Sequence, residues 1–409
     1  MAEYKAHHLS RRTLLGLFGA AAAAPALAAC GSSVGGGSSG TDGGDADGPV
    51  SVGLVIPQSG VYAALGVDMQ RGWDLWLAQH DNRIGGREVT TVVADEGETP
   101  QTGVPAVQRV LQSDQVDVVV GLVNSATALG AAPLMSEARK ILVVANAGAA
   151  DITGASRTPY VWRTSFQNAQ VAAAAGPYLA EQDIPGGVFL IAPDYAAGTE
   201  VRAGFRAAYE AAGGTIAGEA TPPFGTTQDY QPFLSQIQQS GAGAVFCFFA
   251  GAEAVRFVQQ YAQFGLKDSV PLYGSGFLTE GGVLAAQAEA AVGVRTSLFY
   301  TDQLDNPANS AFVDAYRSAY DDALPTCYSV STFDAAAVLD RAVAAAGALD
   351  GDALGEALGG IGPIQDSPRG EWTFDGQSPR QTMYLRTVEG TPPELGNAVT
   401  ADLGPQAQV

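Results

Sequence analysis

From residue 50 onward, short apolar runs alternate with amphipathic stretches, and this alternation restricts the fold more than any other feature. Residues 50–56 form an apolar run closed by Pro57. A helix is expected from about residue 61, because Leu65, Met69, Trp73, Trp76 and His80 recur on one stripe before Gly85-Gly86 stops it. Strands at 88–94, 116–121 and 141–145 alternate with helices at 104–111 and 125–139. The run at 116–121 is apolar throughout, as in a strand buried on both faces of a parallel sheet.

The rhythm restarts after Arg163. Helices are expected at 169–182, 199–212, 230–239 and 253–264, and strands at 188–192, 215–220, 244–249 and 270–273. The remainder supplies a strand at 294–300, helices at 310–320, 332–346 and 352–358, and extended pieces at 370–374 and 382–388. Two βαβ series in one chain predict an α/β protein with two doubly wound, parallel-sheet lobes.

The first residues follow a different logic. Ser10-Arg11-Arg12-Thr13-Leu14-Leu15 is a twin-arginine pattern, and a weakly apolar, Ala-rich run continues to residue 29. Leu27-Ala28-Ala29-Cys30-Gly31 resembles a bacterial lipobox, which makes residues 1–29 an expected signal peptide and Cys30 an expected lipidation site. Residues 30–48 are rich in Gly, Ser and Asp and have little to bury, so they read as a flexible tether of roughly 25 Å. A Gly-x-Ser-x-Gly pattern at 36–40 falls inside this tether, where the strand and helix of a nucleophile elbow are missing.

A net charge of −21 excludes nucleic acid as a partner and leaves a lipid anchor as the route to a membrane. His80 is the only histidine after the signal, and Cys247 and Cys327 are the only other cysteines, one in an apolar strand and one in an expected loop. Neither a His-rich metal site nor a phosphate-cradling glycine motif is present. No catalytic set, metal or cofactor is expected.

In open α/β sheets, ligands sit beyond the carboxyl ends of strands, against helix starts whose amides favour anions. In the first half, Gln58-Ser59-Gly60 and Asn124-Ser125-Ala126-Thr127 occupy such positions, with hydroxyls and the Ala126 amide to offer a carboxylate. The stretch at 146–150 adds a wall, where Gly148 permits close backbone approach beside Ala149. In the second half, Tyr195 could stack on a ring, Glu253 could pair with an ammonium, and Gly276-Phe277 could close the pocket. For Ser125 and Glu253 the competing roles are plain helix capping and helix-dipole stabilisation.

These residues resemble a known family. Gly53-Leu54-Val55-Ile56-Pro57 with Ser59-Gly60, Leu65-Gly66, Gly72 and Gly85-Gly86-Arg87 is similar to the opening of the type I solute-binding proteins of ABC importers, in the leucine/isoleucine/valine-binding branch. The stretch 121–127, Arg163-Thr164, Asp194-Tyr195 with Gly198, Gly265-Leu266 and Asp305-Asn306-Pro307 extend the likeness across residues 50–390. The resemblance implies two lobes joined by a three-strand hinge, with a first lobe of 49–164 plus 294–371, a second of 165–293 plus 372–392, and a tail at 393–409. It implies that Ser125, Thr127 and backbone near Gly148 hold a ligand carboxylate, and that Tyr195 and Glu253 approach from the other lobe, the latter facing an α-amino group. Ser59, Leu65, Asn124 and Ala126 join the expected site. The stretches at 146–148 and 194–198 look like members that take aromatic or other carboxylates, which leaves amino acids and aromatic acids both open. The implied partners are a small carboxylated solute and an ABC permease, with the binder acting as an extracytoplasmic monomer; amide ligands, or a sensor that presents its ligand state to a membrane receptor, are the alternatives.

Overall fold

The computed structural model describes residues 48–409. The expected signal, Cys30 and most of the expected tether therefore lie outside the described residues. The first series contains β1 (Val50–Ile56), α1 (Ala63–Gln79), β2 (Arg83–Ile84), β3 (Arg87–Asp95), α2 (Pro100–Gln112), β4 (Val118–Gly121), α3 (Ser125–Ala138), β5 (Ile141–Val144) and β6 (Val161–Arg163). They build one sheet in the order β2-β3-β1-β4-β5-β6, parallel except for the short β2 at its edge. All four residues of β4 and of β5 are buried, as continuous apolar runs require in a sheet covered on both faces.

The second series contains α4 (Asn168–Ala173), α5 (Ala175–Ala180), β7 (Val188–Ile191), α6 (Ala196–Ala211), β8 (Ile216–Ala220), α7 (Gln231–Ser240), β9 (Ala244–Cys247), α8 (Gly251–Gln263), β10 (Leu272–Ser275), α9 (Gly282–Gln287) and β11 (Arg295–Leu298). There follow α10 (Pro307–Ala319), α11 (Cys327–Ala346), α12 (Gly351–Gly359), β12 (Trp372–Asp375), β13 (Ser378–Thr391) and β14 (Glu394–Gln406). The second sheet runs β12-β13-β11-β10-β9-β7-β8, with β14 paired to β13. Helix α11 packs along α1 and β2 of the first lobe, where Asp340 accepts the Gly85 amide at 2.8 Å. The chain therefore crosses between lobes three times, after β6, after β11 and after α12.

Four expectations are corrected. The strand at Arg295–Leu298 pairs with β10 and β13, so it belongs to the second lobe rather than the first. Residues 394–406 are not a loose tail but a full strand along β13, because a long partner strand offers its ladder groups. The expected single helix at 169–182 is two, broken at Ala174, where Pro177 lacks the N–H that would continue the ladder to residue 173. Cys327 opens α11 instead of lying in a loop, because Thr326 caps the helix by accepting the Ser329 amide. Cys247 and Cys327 are both buried and free.

Buried arginines hold the crossings. Arg369 pairs with Asp334 and donates to Gln381 and to the Thr164 carbonyl, each at 2.6 Å. Arg163 donates to the Phe166 and Ala149 carbonyls at 2.6 and 2.7 Å, and burial lowers its guanidinium to about 9. It thus ties the 147–149 loop of the first lobe to the first crossing.

Candidate functional site

A chamber of about 370 Å³ lies where the two lobes and the first crossing meet. The first lobe contributes Tyr62, Leu65, Glu98, Val123, Asn124, Ser125, Ala126, Asn146 and Gly148. Phe166 and Asn168 come from the crossing, and Tyr195, Ala196, Ala197, Phe224, Phe248, Ala250 and Phe277 from the second lobe. Tyr328 enters from α11. Each lobe presents the carboxyl ends of its strands, where open parallel sheets bind ligands.

The cleft is closed. Tyr62 of the first lobe and Tyr195 of the second both line it, and burial pushes the Tyr62 phenol up to about 12. Glu280 of the second lobe accepts the Cys327 amide at 2.8 Å, and Arg386 holds that carboxylate at 2.9 Å.

On the first-lobe wall most polar groups are already engaged. Asn124 caps α3, its Oδ1 accepting from the Ala126 and Thr127 amides at 2.9 and 3.1 Å. The buried Glu96 accepts the Val123 and Asn124 amides at 2.7 and 2.9 Å, and burial raises its carboxyl to about 8 against those bonds. Ser125 Oγ accepts the Ala149 amide at 3.1 Å, which leaves its own proton to donate into the chamber. Two glycines are closely packed here. A Cβ on Gly60, at φ +76°, would fall on Glu98, and one on Gly148 would lie 2.3 Å from Asn168 Oδ1.

The second-lobe wall is aromatic. Phe224 and Tyr195 stack with centroids 4.1 Å apart, Tyr195 and Phe248 follow at 6.1 Å, and Phe248 meets Phe277 edge-on at 6.1 Å. Phe277 touches Phe166 at 4.6 Å and reaches Tyr328 at 6.3 Å. Helices α6 and α8 both start on this wall, and no side chain caps either start.

Seven of the expected site residues line the chamber: Leu65, Asn124, Ser125, Ala126, Gly148, Tyr195 and Phe277. Five do not. Ser59 turns its hydroxyl onto Asp95 at 2.7 Å. Thr127 is fully buried behind the wall against Gly103 and Glu96. Ala149 spends its amide on Ser125 and its carbonyl on Arg163. Gly276 packs under Leu298 and Arg386. Glu253 does not line the chamber: its Oε1 accepts the Gly225 amide at 2.9 Å, so the carboxylate holds the turn that carries Phe224. The Ala126 amide, expected to be free for a ligand, is occupied by Asn124.

Sequence reasoning missed Tyr62, Glu98, Phe166, Asn168, Phe224, Phe248 and Tyr328. Phe248 was within reach, because it is the first residue past the carboxyl end of β9. Phe166 arrives through the first crossing and Tyr328 from the first turn of α11, which no local pattern marks.

The chain belongs to the periplasmic binding protein family, which matches residues 49–392, and within it to the type I solute-binding proteins of ABC transporters. A "Leu/Ile/Val-binding protein homolog 6" of Brucella melitensis is 30% identical over 346 residues, covering 83% of this chain and 87% of that protein. A solute-binding protein of an ABC transporter from R. palustris, solved with benzoate, shares 32% identity at a TM-score of 0.80, covering 88% of this chain and 98% of that one. A second, from Rhodopseudomonas palustris HaA2 with p-hydroxybenzoic acid, shares 30% identity at a TM-score of 0.82 with the same coverages. The family places the protein outside the cytoplasm.

Proposed function

We propose that the protein captures an aromatic carboxylate of benzoate size and presents it, in the closed form, to an ABC permease. The observation that carries this reading is the chain of rings from Phe224 to Tyr328 around a chamber whose only charged lining side chain is Glu98. A ring between these walls makes the offset and edge contacts that aromatic pairs prefer. Its carboxylate meets the Ser125 hydroxyl from one lobe and the uncapped first-turn amides of α6 from the other. Closure thus completes the anion's shell, and the differential contact favours the closed state. The benzoate and hydroxybenzoate complexes of similar proteins support this reading.

An amino acid is the second reading, favoured by Glu98, which lines the chamber and could pair with an ammonium. Thermal shift followed by calorimetry separates the two, since a ligand stabilises in proportion to its occupancy. Benzoate and 4-hydroxybenzoate are expected to raise Tm and to bind one to one, and leucine and phenylalanine to leave it unchanged. The reverse pattern overturns the aromatic reading. The binder acts as a monomer held to the membrane by lipid on Cys30; mass spectrometry of the membrane fraction tests the acylation.

A further inference from the structure

One edge of the closed cleft carries bonds that contact with a ligand does not require. Glu200 stands on α6, one turn beyond the Tyr195–Ala197 start that lines the chamber. Its Oε1 accepts the Ala150 amide at 3.2 Å, and its Oε2 accepts from Asn168 Nδ2 at 2.8 Å. Ala150 belongs to the first lobe and Asn168 lies just past the first crossing. Arg163 and Asp151 are the charged groups nearest this carboxylate.

Beside Glu200, residues 406–409 run from β14 back over the same crossing. Gln170 Nε2 donates to the Gln406 carbonyl at 3.0 Å. Gln408 Oε1 accepts from Thr153 Oγ1 of the first lobe and from Gln167 Nε2, both at 3.0 Å. The Val409 amide donates to Gln167 Oε1 at 2.9 Å. Second-lobe groups therefore grip two neighbouring points, 150 and 153, on a single first-lobe loop.

We propose that Glu200 and the 406–409 strap form a latch that holds the cleft shut and slows ligand escape without touching the ligand. The gripped loop is the one whose other end is chamber wall: Gly148 lines the cavity and the Ala149 amide sits on Ser125 Oγ. Latch and ligand site thus share one segment, itself fixed by Arg163. Bonds made only in the closed state bias the two-state equilibrium by their differential strength, and such a bias appears in the dissociation rate. Glu200 is a positioning residue. The proposal rests on lobe closure and not on the identity of the acid.

The test is rapid-mixing kinetics with 4-hydroxybenzoate as probe on the parent, Glu200→Ala, Glu200→Gln and Gln408→Ala. Glu200→Ala is expected to raise the dissociation rate about tenfold, the scale of one hydrogen bond to a charged acceptor, with the association rate unchanged. Glu200→Gln restores most of the loss, because an amide oxygen still accepts from Ala150. Gln408→Ala raises the rate about threefold, the scale of a neutral bond, and keeps the test alive if Glu200→Ala fails to fold. Parental dissociation rates in Glu200→Ala and Gln408→Ala overturn the latch, as does a Gln variant as impaired as the Ala variant. If 4-hydroxybenzoate fails to bind the parent, the aromatic reading falls. The latch is then read from ligand-free X-ray scattering, where a larger radius of gyration in the variants supports it and an identical one overturns it.

Discussion

Three helices start on the chamber, and they treat their free amides differently. Helix α3, from the first lobe, is capped by its own Asn124, while Glu96 takes the two amides just before it. Helices α6 and α8, from the second lobe, start without a side-chain cap, among rings. The first wall is therefore preorganised by internal bonds and offers chiefly one hydroxyl. The second keeps unspent amides and supplies the apolar surface. A wall whose polar groups are already satisfied holds its shape with the cleft open. The uncapped wall leaves its first-turn amides to water or to whatever enters the chamber.

Four substitutions break or sharpen this contrast. The largest effect falls on the aromatic wall. Phe248→Ala should cost about 3–5 kcal/mol of stability by opening a cavity, and should weaken aromatic acids in calorimetry more than any first-wall change. Glu96→Gln should remove a pH dependence. Its folded carboxyl is raised to about 8, so its contribution to stability is fully present below the unfolded value of 4.5 and is lost as pH rises through about 8. Tm measured across that window should fall in the parent and stay flat in the variant, and parallel curves would show that Glu96 does not titrate there. Ser125→Ala should weaken carboxylate ligands by about 1.5 kcal/mol and also lower the apo Tm, because the buried Ala149 amide loses its acceptor. The smallest effect is expected at Glu253→Gln. The amide can still accept from Gly225, so affinity for aromatic acids should stay within about 0.5 kcal/mol. A large loss there would return Glu253 to the site.

The alternation of strand and helix was legible because buried parallel strands write themselves as unbroken apolar runs, as at 118–121 and 141–144. The first-lobe half of the chamber was legible for the same reason: strand ends point to helix starts, and Ser125 and Gly148 lie there. The bond from Glu253 to a neighbouring turn was not legible, because an acid in the first turn of a helix reads the same whether it faces a ligand or that turn. The Gly225 amide that it accepts lies 28 residues away in the chain. The strand at 394–406 hid because its polar, Gly-containing sequence has one wall to lean on and no apolar alternation of its own. Phe224 sits in a Pro-Pro-Phe-Gly turn, where the sequence marks a bend and says nothing of the ring's direction.

The arginines at the crossings have a bearing on which solutes fit. Arg163 and Arg369 fasten carbonyls on both sides of the bends, so the back of the cleft is fixed by charge-assisted bonds and has no slack. The pivot between the lobes is the most tightly bonded part of the cleft. Bulk on a guest molecule is then tolerated by direction: a substituent aimed at Phe166 and the pivot meets a rigid stop, whereas one aimed outward past half-exposed Phe224 meets a rim that can yield. Selectivity in such a binder is a gradient running from the pivot to the lips.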